Sequence, residues 1–487
     1  MPEETPNPYD SPSQSAASGL GEASVSDGGQ LSVGEKVGYG LGDTASNLYW
    51  KLFENFQLFF YTDVFGITAG AAATMFLVTK LWDAINDPLI GFLSDRTRTS
   101  WGRFRPYLIW MAIPFAISGV LTFYTPDLSP GWKLVYAYVT YTLVFMAYTA
   151  INIPYGALMG VITPNPLERT SVSTYRFVLA FVGGLIVQMC TEPLINLFGS
   201  AVYDAQGNIT SVDKQTGFFW TVVCYAILAM ILFAITFAST KERVQPSTKG
   251  NNAFGDDLRD LLSNRPWMVL LAVGLFQILA GWTRGSAIAY YFTYYLDSAF
   301  GWFLVSGTVA AIVGMLCTKP LTAMFGQRLL MILMNVLTAL LTAAFYLVDG
   351  SNTALIYGLH ILAAFVSGPV PVLLWAMYAD AADYSEWKNH RRATGLVFSA
   401  ATFSQKLGGA IGSAIPGWAL AFFQFREPIE GVAQTQSPAT INGIILLMSV
   451  IPAVFLLCSA AAMFFYNIDR KLLGQIESDL ALRKAGV

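Results

Sequence analysis

Two aspartates and a lysine stand inside an apolar stretch of the chain. Lys80, Asp83 and Asp87 are spaced i, i+3 and i+7, so a helix would carry all three on one face. An aspartate at the centre of a bilayer costs roughly 2.5 to 3.5 kcal/mol, and intramembrane acids are therefore rare and functional by default. We expect the pair to face a cavity and to bind a cation.

The chemistry of this pair has several interpretations. Carboxylate and amide oxygens suit a hard cation such as Na+, whereas repulsion between two carboxylates in a dry site would let one of them carry a proton. The structural alternative is a salt bridge from Lys80 to Asp83 or Asp87 that only locks the helix. Because one lysine cannot neutralise two carboxylates, we favour a site for a coupling cation, Na+ or H+.

The composition around these residues is that of a membrane protein. The 487 residues are 54% hydrophobic and only 12% charged, with a mean hydropathy of +0.51, whereas an average soluble domain has about 25% charged residues. The net charge of −3 offers no basic field for nucleic acid. The four cysteines and two histidines lack metal-ligand spacing, and no GxxxxGK[ST] loop is present. We expect no cofactor and no enzymatic activity.

From about Val37 onward, the chain is a succession of apolar stretches near 20 residues, the length of helix that crosses a hydrocarbon layer about 30 Å thick. Twelve such stretches are centred on Leu58, Val78, Ile117, Val144, Ile186, Met230, Leu275, Ala310, Leu337, Phe365, Gly409 and Val454. The sequence therefore predicts an all-α membrane protein with twelve transmembrane helices.

The longest polar join follows the sixth stretch and divides the twelve into two groups of six. A weak repeat supports duplication, since Asp87-Pro88-Leu89 in span 2 is echoed by Lys319-Pro320-Leu321 in span 8. Parallel six-helix halves are the architecture of the major facilitator fold. We expect a disordered acidic tail over residues 1–36, a first half over 37–239, a cytoplasmic linker over 240–265, a second half over 266–468 and a cytoplasmic tail over 469–487.

Basic residues are distributed unevenly between the joins. The two tails and the joins after even-numbered spans hold nineteen lysines and arginines, and the opposite joins hold three. Cytoplasmic loops of membrane proteins carry the excess of basic residues. This distribution predicts a multi-pass protein of the inner cell membrane with both termini in the cytoplasm.

Five motifs follow one another along the chain. They are Tyr61-Thr62-Asp63-Val64-Phe65-Gly66, Trp82-Asp83-Ala84-Ile85-Asn86-Asp87-Pro88, Asp95-Arg96 with Trp101-Gly102-Arg103-Phe104-Arg105-Pro106, Asn152-Ile153-Pro154-Tyr155, and Asp383-Tyr384-Ser385-Glu386-Trp387. These motifs resemble the signatures of the glycoside-pentoside-hexuronide:cation symporters of the major facilitator superfamily, which include melibiose permease. The resemblance covers roughly residues 37 to 468.

The resemblance implies a coupling-ion site formed by Asp83, Asn86 and Asp87, with a hydroxyl from Thr149. Na+ would be held transiently by the two aspartates, or a proton would take its place. An uncharged oxygen from a neighbouring helix is what a closed ion cage needs. For Thr149, however, a hydrogen bond to its own helix carbonyl is an equally good interpretation.

The resemblance also implies a sugar site, formed by Asn47, Tyr148, Asn152, Arg176, Thr402 and Lys406. Melibiose permease has aspartates where this chain has Asn47 and Asn152, which argues against melibiose as the substrate. Arg176 would either fork onto the sugar or anchor the cytoplasmic end of span 5. Lys406 would either link the ion and sugar sites or only balance the charge of the aspartates in span 2.

Charged residues at the cytoplasmic ends of spans resemble the inner gate of the family. They are Asp95, Arg96, Arg103, Asp380, Asp383 and Glu386. The alternative is ordinary positive-inside charge. Two further candidates are Arg284, which could reach an acidic substrate, and Trp375, for which helix packing is the commoner role.

Together these features predict a secondary active transporter that couples a cation to uptake of a glycoside, pentoside or hexuronide by alternating access. Its expected partners are a small-molecule sugar, the cation and the lipid bilayer, with no nucleic acid, and we expect it to work as a monomer. One alternative is a cation-coupled carrier of lysolipids or other amphiphiles. Another is a sugar sensor that moves nothing, which would normally need an added signalling domain.

Overall fold

The computed structural model describes residues 31–163, 166–203, 209–243, 264–389, 394–428 and 434–485. The first half of the described chain contains α1 (Val33–Asn55), α2 (Gln57–Phe59), α3 (Ala69–Arg96), α4 (Arg105–Trp110), α5 (Ala112–Thr122), α6 (Pro130–Ile162), α7 (Pro166–Phe198), β1 (Ala201–Tyr203), β2 (Ile209–Val212) and α8 (Lys214–Ser239). The second half contains α9 (Arg265–Tyr291), α10 (Gly301–Leu316), α11 (Thr318–Phe325), α12 (Gln327–Ala344), α13 (Thr353–Ser367), α14 (Pro369–Asn389), α15 (Thr394–Phe422), α16 (Pro438–Met448), α17 (Val450–Met463) and α18 (Arg470–Ala485).

Several helices begin where a polar side chain caps their free N–H groups. The side chain of Ser32 accepts from the Glu35 amide at the start of α1, and the side chain of Thr68 accepts from the Ala71 amide at the start of α3. Such caps stabilise a helix by about 1 kcal/mol. Because Ser32 is the cap, α1 begins at Val33, a few residues before the boundary that the sequence predicted for the acidic tail.

Most of the long helices can cross a membrane. Among the described residues, eight helical segments are long and apolar enough to do so, and a ninth is the pair α10 and α11, bent by 51°. Three further helices, α1, α3 and α15, have 23, 28 and 29 residues, which is also sufficient at 1.5 Å per residue. They carry the polar residues of the predicted site, which lower their hydropathy. The total of twelve spans stays a prediction.

The outer surface supports insertion in a lipid bilayer. Large apolar side chains are exposed along the bundle, including Trp132, Leu197, Leu316 and Phe422. A soluble monomer rarely exposes apolar patches of more than a few hundred Å². The core is rich in aromatic residues, and Phe60 packs against Phe123 with ring centroids 4.7 Å apart.

The two ends of the bundle are distinguished by α1. The face at which α1 begins, near Val33, is termed here the terminal face, and the face toward which it ends, near Asn55, is termed the distal face. Beyond α1 the chain continues as a π-helical segment, Phe60–Phe65, and turns at Gly66, whose φ of 82° favours glycine.

Two small elements were not expected from the sequence. An antiparallel hairpin of β1 and β2 stands between α7 and α8, an exception to the otherwise helical fold. The predicted C-terminal tail contains α18, whose buried Ile476 and Leu480 join a core cluster with Trp267 at the start of α9. The tail after residue 469 is thus attached to the second half.

Candidate cation and sugar site

A cluster of ionisable side chains joins α3 to α15 at mid-helix. The Lys406 ammonium on α15 lies 3.3 Å from Asp83 Oδ2 and contacts Asp87 Oδ2 directly. The Thr149 hydroxyl on α6 donates to Asp83 Oδ1 at 2.6 Å. The structure therefore brings three predicted ion-site residues together with Lys406, and the hydroxyl of Thr149 bonds to the acid instead of its own helix.

Lys80 does not form the salt bridge that the structural alternative required. Its ammonium donates to the carbonyl of Gly409 at 3.3 Å and lies 3.5 Å from the ring centroid of Trp282. A cation over a tryptophan face is stabilised by about 0.5 to 2 kcal/mol. The partner that the two aspartates share is Lys406, from the other half of the chain.

Asn86 lies between Asp83 and Asp87 along α3. Its side chain is buried, and its Nδ2 has no hydrogen-bond partner among the described residues. In the described part of the chain, no group of three or more His, Cys, Asp or Glu side chains could hold a metal ion. Two carboxylates with amide and hydroxyl oxygens instead suit a singly charged hard cation. Their role in ion binding stays a prediction.

A second ion pair connects α1 to α7. Arg176 Nε donates to Asp43 Oδ2 at 2.5 Å, and its guanidinium lies 5.1 Å from the ring centroid of Tyr155. Arg176 therefore faces the interior of the first half and is not a free anchor at the helix end. Sequence analysis missed Asp43, although its spacing of i, i+4 from Asn47 would have placed it one turn away on the same face.

Of the two predicted asparagines, Asn152 bonds to a neighbouring helix and Asn47 bonds within its own helix. Asn152 Oδ1 accepts from the Ser46 hydroxyl at 2.8 Å, and its Nδ2 donates to the Tyr148 carbonyl at 3.0 Å. Tyr148 stacks on Trp50, with ring centroids 5.8 Å apart. Asn47 Nδ2 donates to the carbonyl of Asp43 within α1. The side chain of Thr402 lies outside the described part of the structure.

A cavity of about 540 Å³ lies between the two halves. The first half contributes Asn47, Lys51 and Glu54 of α1 and Gln188 of α7 to its wall. The second half contributes Arg284 of α9 and His360 of α13. Ligand pockets typically measure about 300 to 1,000 Å³, so a sugar of one or two rings fits the volume. Of the five predicted sugar residues whose side chains the structure describes, only Asn47 is among the residues lining this cavity.

The two halves contact each other at the distal face. The Thr62 hydroxyl and the Tyr290 hydroxyl are 2.6 Å apart, and the Tyr294 hydroxyl donates to Asp63. Glu192 of α7 accepts from the backbone N–H of Gly301 at the start of α10, at 2.7 Å. These contacts hold the distal ends of the halves together.

The predicted gate residues lie toward the terminal face. Asp380, Asp383 and Glu386 follow one another on α14, whereas the side chain of Asp95 lies outside the described part. Arg96 stacks on Phe92 of its own helix at 3.9 Å, and the backbone N–H of Arg103 donates to Glu242. Glu242, which the sequence analysis did not single out, also accepts from the amides of Phe104 and Arg105. Whether the six residues form a gate stays a prediction.

Comparison with known protein families shows which family the chain resembles. The family described as MFS/sugar transport protein matches residues 38–470. The chain belongs to this family. It is therefore a transporter and not an enzyme, and the resemblance inferred from the five motifs is confirmed.

Curated relatives of this family are similar over nearly their whole length. The inner membrane symporter YicJ of Escherichia coli (strain K12) is 38% identical over 459 residues, 93% of this chain and 96% of its own. The putative glycoside/cation symporter YagG of the same organism is 38% identical, over 87% of this chain and 90% of its own. The isoprimeverose transporter of Lactiplantibacillus pentosus is 35% identical, over 93% of this chain and 92% of its own.

Solved structures confirm the fold. A bacterial homolog of the human lysosomal transporter Spinster, solved in an inward-facing and occupied conformation, covers 89% of this chain and 95% of its own with a TM-score of 0.64 at 13% identity. The D-xylose-proton symporter covers 87% of this chain and 94% of its own with a TM-score of 0.52 at 16% identity. The predicted helical membrane protein of the major facilitator fold is thus confirmed.

Proposed function

We propose that the protein imports a glycoside, pentoside or hexuronide together with a cation, by alternating access of a central site to the two sides of the membrane. The observation that carries this proposal is the cluster of Asp83, Asp87 and Lys406. It places two carboxylates of the first half against an ammonium of the second. The relatives named as symporters support the same function.

The charges in the cluster favour binding of one more cation. Asp83 and Asp87 carry two negative charges, and Lys406 supplies one positive charge in direct contact. Lys80 lies nearby, but its ammonium is directed to Gly409 and Trp282. A cation at Asp87 Oδ1, which has no hydrogen-bond partner among the described residues, would reduce the hold of Lys406 and would change the contact between α3 and α15. Ion occupancy and movement of the halves are thereby coupled.

We infer that this cation is Na+, with H+ as the alternative outcome of the experiment. The Thr149 hydroxyl oxygen lies 2.6 Å from Asp83, and the buried Asn86 carries an amide oxygen on the same helix as Asp83. A metal cation uses such neutral oxygens as ligands, and a proton carrier does not require them. One inward-moving charge gains about 2.3 kcal/mol per 100 mV, enough for roughly fortyfold accumulation of the sugar.

Sugar binding is assigned to the cavity between the halves and to the adjoining ion pair of Asp43 and Arg176. Asn47 is shared by both regions, because it lines the cavity and bonds to the backbone of Asp43. A sugar there would contact both halves at once. Because the cation cluster and the cavity are built within one chain, we propose that the monomer is the functional unit.

The contacts at the distal face support a state that is open toward the terminal face. If the terminal face is cytoplasmic, as the basic residues predict, this is the inward-facing state in an inner membrane. The two ends of α8 test the orientation, because Lys214 and Lys241 are both exposed. In a cysteine-free background, a cysteine at 241 should be labelled only from the cytoplasm and a cysteine at 214 only from outside. The reverse pattern would overturn the orientation.

The function itself is tested by uptake into proteoliposomes. Labelled α- and β-glucosides, xylosides and glucuronides are offered under an imposed Na+ gradient, an imposed proton gradient or neither. We expect uphill accumulation of at least one sugar under the Na+ gradient alone. Accumulation driven by the proton gradient alone would replace Na+ with H+, and no gradient-dependent uptake of any sugar would contradict the proposal.

A further inference from the structure

Arg284 on α9 is an arginine of the central cavity without an acidic partner among the described residues. It lines the wall formed by the second half, and its Nε has no hydrogen-bond partner among the described residues. A guanidinium carries five N–H donors and stays charged, so a poorly hydrated site for it is costly unless an anion is bound.

The neighbours of Arg284 hold it in place without neutralising it. The guanidinium carbon lies 4.7 Å from the ring centroid of Phe345, and Nη2 lies 3.5 Å from His360 Nδ1. His360 is buried and stacks on Phe303 with centroids 3.7 Å apart. Gly307 fits against the same imidazole, since a Cβ there would meet Nε2 at 2.3 Å. The arginine is therefore pre-positioned by aromatic and imidazole contacts.

Three other cations near the cavity and the ion cluster each have an acidic partner, whereas Lys80 donates to the carbonyl of Gly409. Lys51 also lines the cavity, and its ammonium contacts Glu54 at 2.7 Å. Arg176 pairs with Asp43, and Lys406 pairs with the two aspartates of α3. Among the charged residues that line the cavity, Lys51 and Glu54 cancel, which leaves the positive charge of Arg284.

We propose that Arg284 is the anchor for a carboxylate on the transported sugar, so that the substrate class is a singly charged acidic glycoside. This inference rests on the proposed function and narrows it. Arginine and carboxylate form two parallel hydrogen bonds, which adds orientation to the charge attraction. His360 acts as a positioning residue, because it contacts the guanidinium from the side of α13.

The rest of the wall is suited to the sugar hydroxyls. Thr338 and Thr342 on α12 line the cavity, and their Oγ1 atoms have no hydrogen-bond partner among the described residues. Asn55 on α1 lines the opposite side, and its Nδ2 is likewise without a partner there. Buried polar groups are nearly always hydrogen-bonded, so these atoms indicate a polar ligand. An acidic sugar would satisfy the hydroxyls, the amide and the guanidinium together.

The proposal is tested with pairs of sugars that differ only in the acid group. Methyl β-glucuronide and methyl β-glucoside, together with the corresponding α-anomers, are titrated into the full-length protein in nanodiscs at saturating Na+. The wild type should bind the acidic member of at least one pair at least tenfold more tightly. Arg284→Gln should weaken binding of that acidic sugar by about 10- to 150-fold, the range for a lost hydrogen bond to a charged group. Binding of the neutral sugar should weaken by less than about threefold.

Two controls separate recognition from folding. Arg284→Lys keeps the positive charge but cannot donate two parallel hydrogen bonds to a carboxylate, so it should retain part of the preference for the acidic sugar. Arg328→Gln removes an arginine of the second half that lies outside the cavity and donates to the Phe464 carbonyl, and it should leave the preference unchanged. A thermal unfolding scan shows whether each variant is folded.

Two results would overturn the proposal and leave the proposed function standing. In one, the wild type takes up neutral glycosides with a cation but binds no acidic member more tightly. In the other, the Arg284→Gln variant is folded and its affinities for the acidic and the neutral sugar are weakened equally. A protein that moves no sugar of either kind under a cation gradient would instead contradict the proposed function together with this inference.

Discussion

The Lys406 ammonium on α15 lies 3.3 Å from Asp83 Oδ2 on α3, a contact between the second half of the chain and the first. Asp87 shares the same ammonium from one turn further along α3. Because the two carboxylates belong to the first half and the ammonium to the second, any change in their charge alters the attraction between the halves. A transporter needs such a connection between ion binding and conformational change.

The first prediction concerns the two carboxylates. Asp83→Asn or Asp87→Asn should weaken Na+ binding by about tenfold or more, because the amide keeps the shape but loses the charge. Isothermal titration without sugar measures this affinity. Asp349→Asn is the matched control, since Asp349 lies in the loop between α12 and α13 and accepts from the Ser351 amide. Unchanged Na+ affinity in both aspartate variants would contradict the assignment of Na+ binding to Asp83 and Asp87.

The second prediction concerns the hydroxyl on α6. Thr149→Val keeps the branched shape but removes the 2.6 Å hydrogen bond to Asp83, and it should weaken Na+ binding by about fivefold. Thr149→Ser keeps the hydroxyl and should stay within about twofold of the wild type. If valine and serine behave alike in the same titration, the hydroxyl has no part in ion binding.

Sequence alone was sufficient to identify the charged residues of spans 2 and 11 as candidates for the site. Asp83, Asp87 and Lys406 stand out because charge inside an apolar stretch is costly, and the two halves follow from the long polar join. The rotation of each helix about its own axis cannot be derived in this way. The engagement of Asn152 with Ser46, away from the cavity, depends on that rotation.

Other features had a signal that was available in the sequence. Leu472, Ile476 and Leu480 recur at four-residue spacing, which is typical of the amphipathic helix found at α18. The contact of Arg284 with His360 had no such signal, since it joins α9 to α13 across 76 positions of the sequence. Pairings between distant helices are fixed by tertiary packing.

The third prediction concerns Asp43 and Arg176, which form an ion pair at 2.5 Å. If Asp43 orients Arg176 toward the sugar, Asp43→Asn and Arg176→Gln should each weaken sugar binding by about 5- to 30-fold, and the double variant should be no worse than the more damaging single variant. Titration of the four proteins with the transported sugar completes the double-mutant cycle. Effects that simply multiply would show that the two residues act independently.

The fourth prediction concerns pH and the start of α1. The Leu31 amide donates to Glu168 at 3.0 Å and Lys36 pairs with it at 2.9 Å, and these two contacts lower the pKa of the Glu168 carboxyl below its ordinary value. The ionised carboxylate therefore holds this segment at neutral pH, and the contribution is lost as pH falls through the lowered pKa.

A spin label on Val33→Cys, which is exposed at the start of α1, reports this change by electron paramagnetic resonance in a cysteine-free background. Its mobility should rise as the pH falls below the ordinary range of a glutamate carboxyl and through the lowered pKa of Glu168. With Glu168→Gln, the label should be mobile at every pH. A pH response that persists in Glu168→Gln would assign the change to another group.

Uphill transport compared with exchange, in one set of proteoliposomes, tests the central claim most directly. The wild type should accumulate the labelled sugar against its gradient when Na+ is imposed outside, and it should also exchange internal for external sugar without any ion gradient. We predict that the Asp83→Asn/Asp87→Asn double variant loses the accumulation and keeps the exchange. Uphill, Na+-dependent accumulation by the double variant would show that these aspartates do not couple the ion to the sugar.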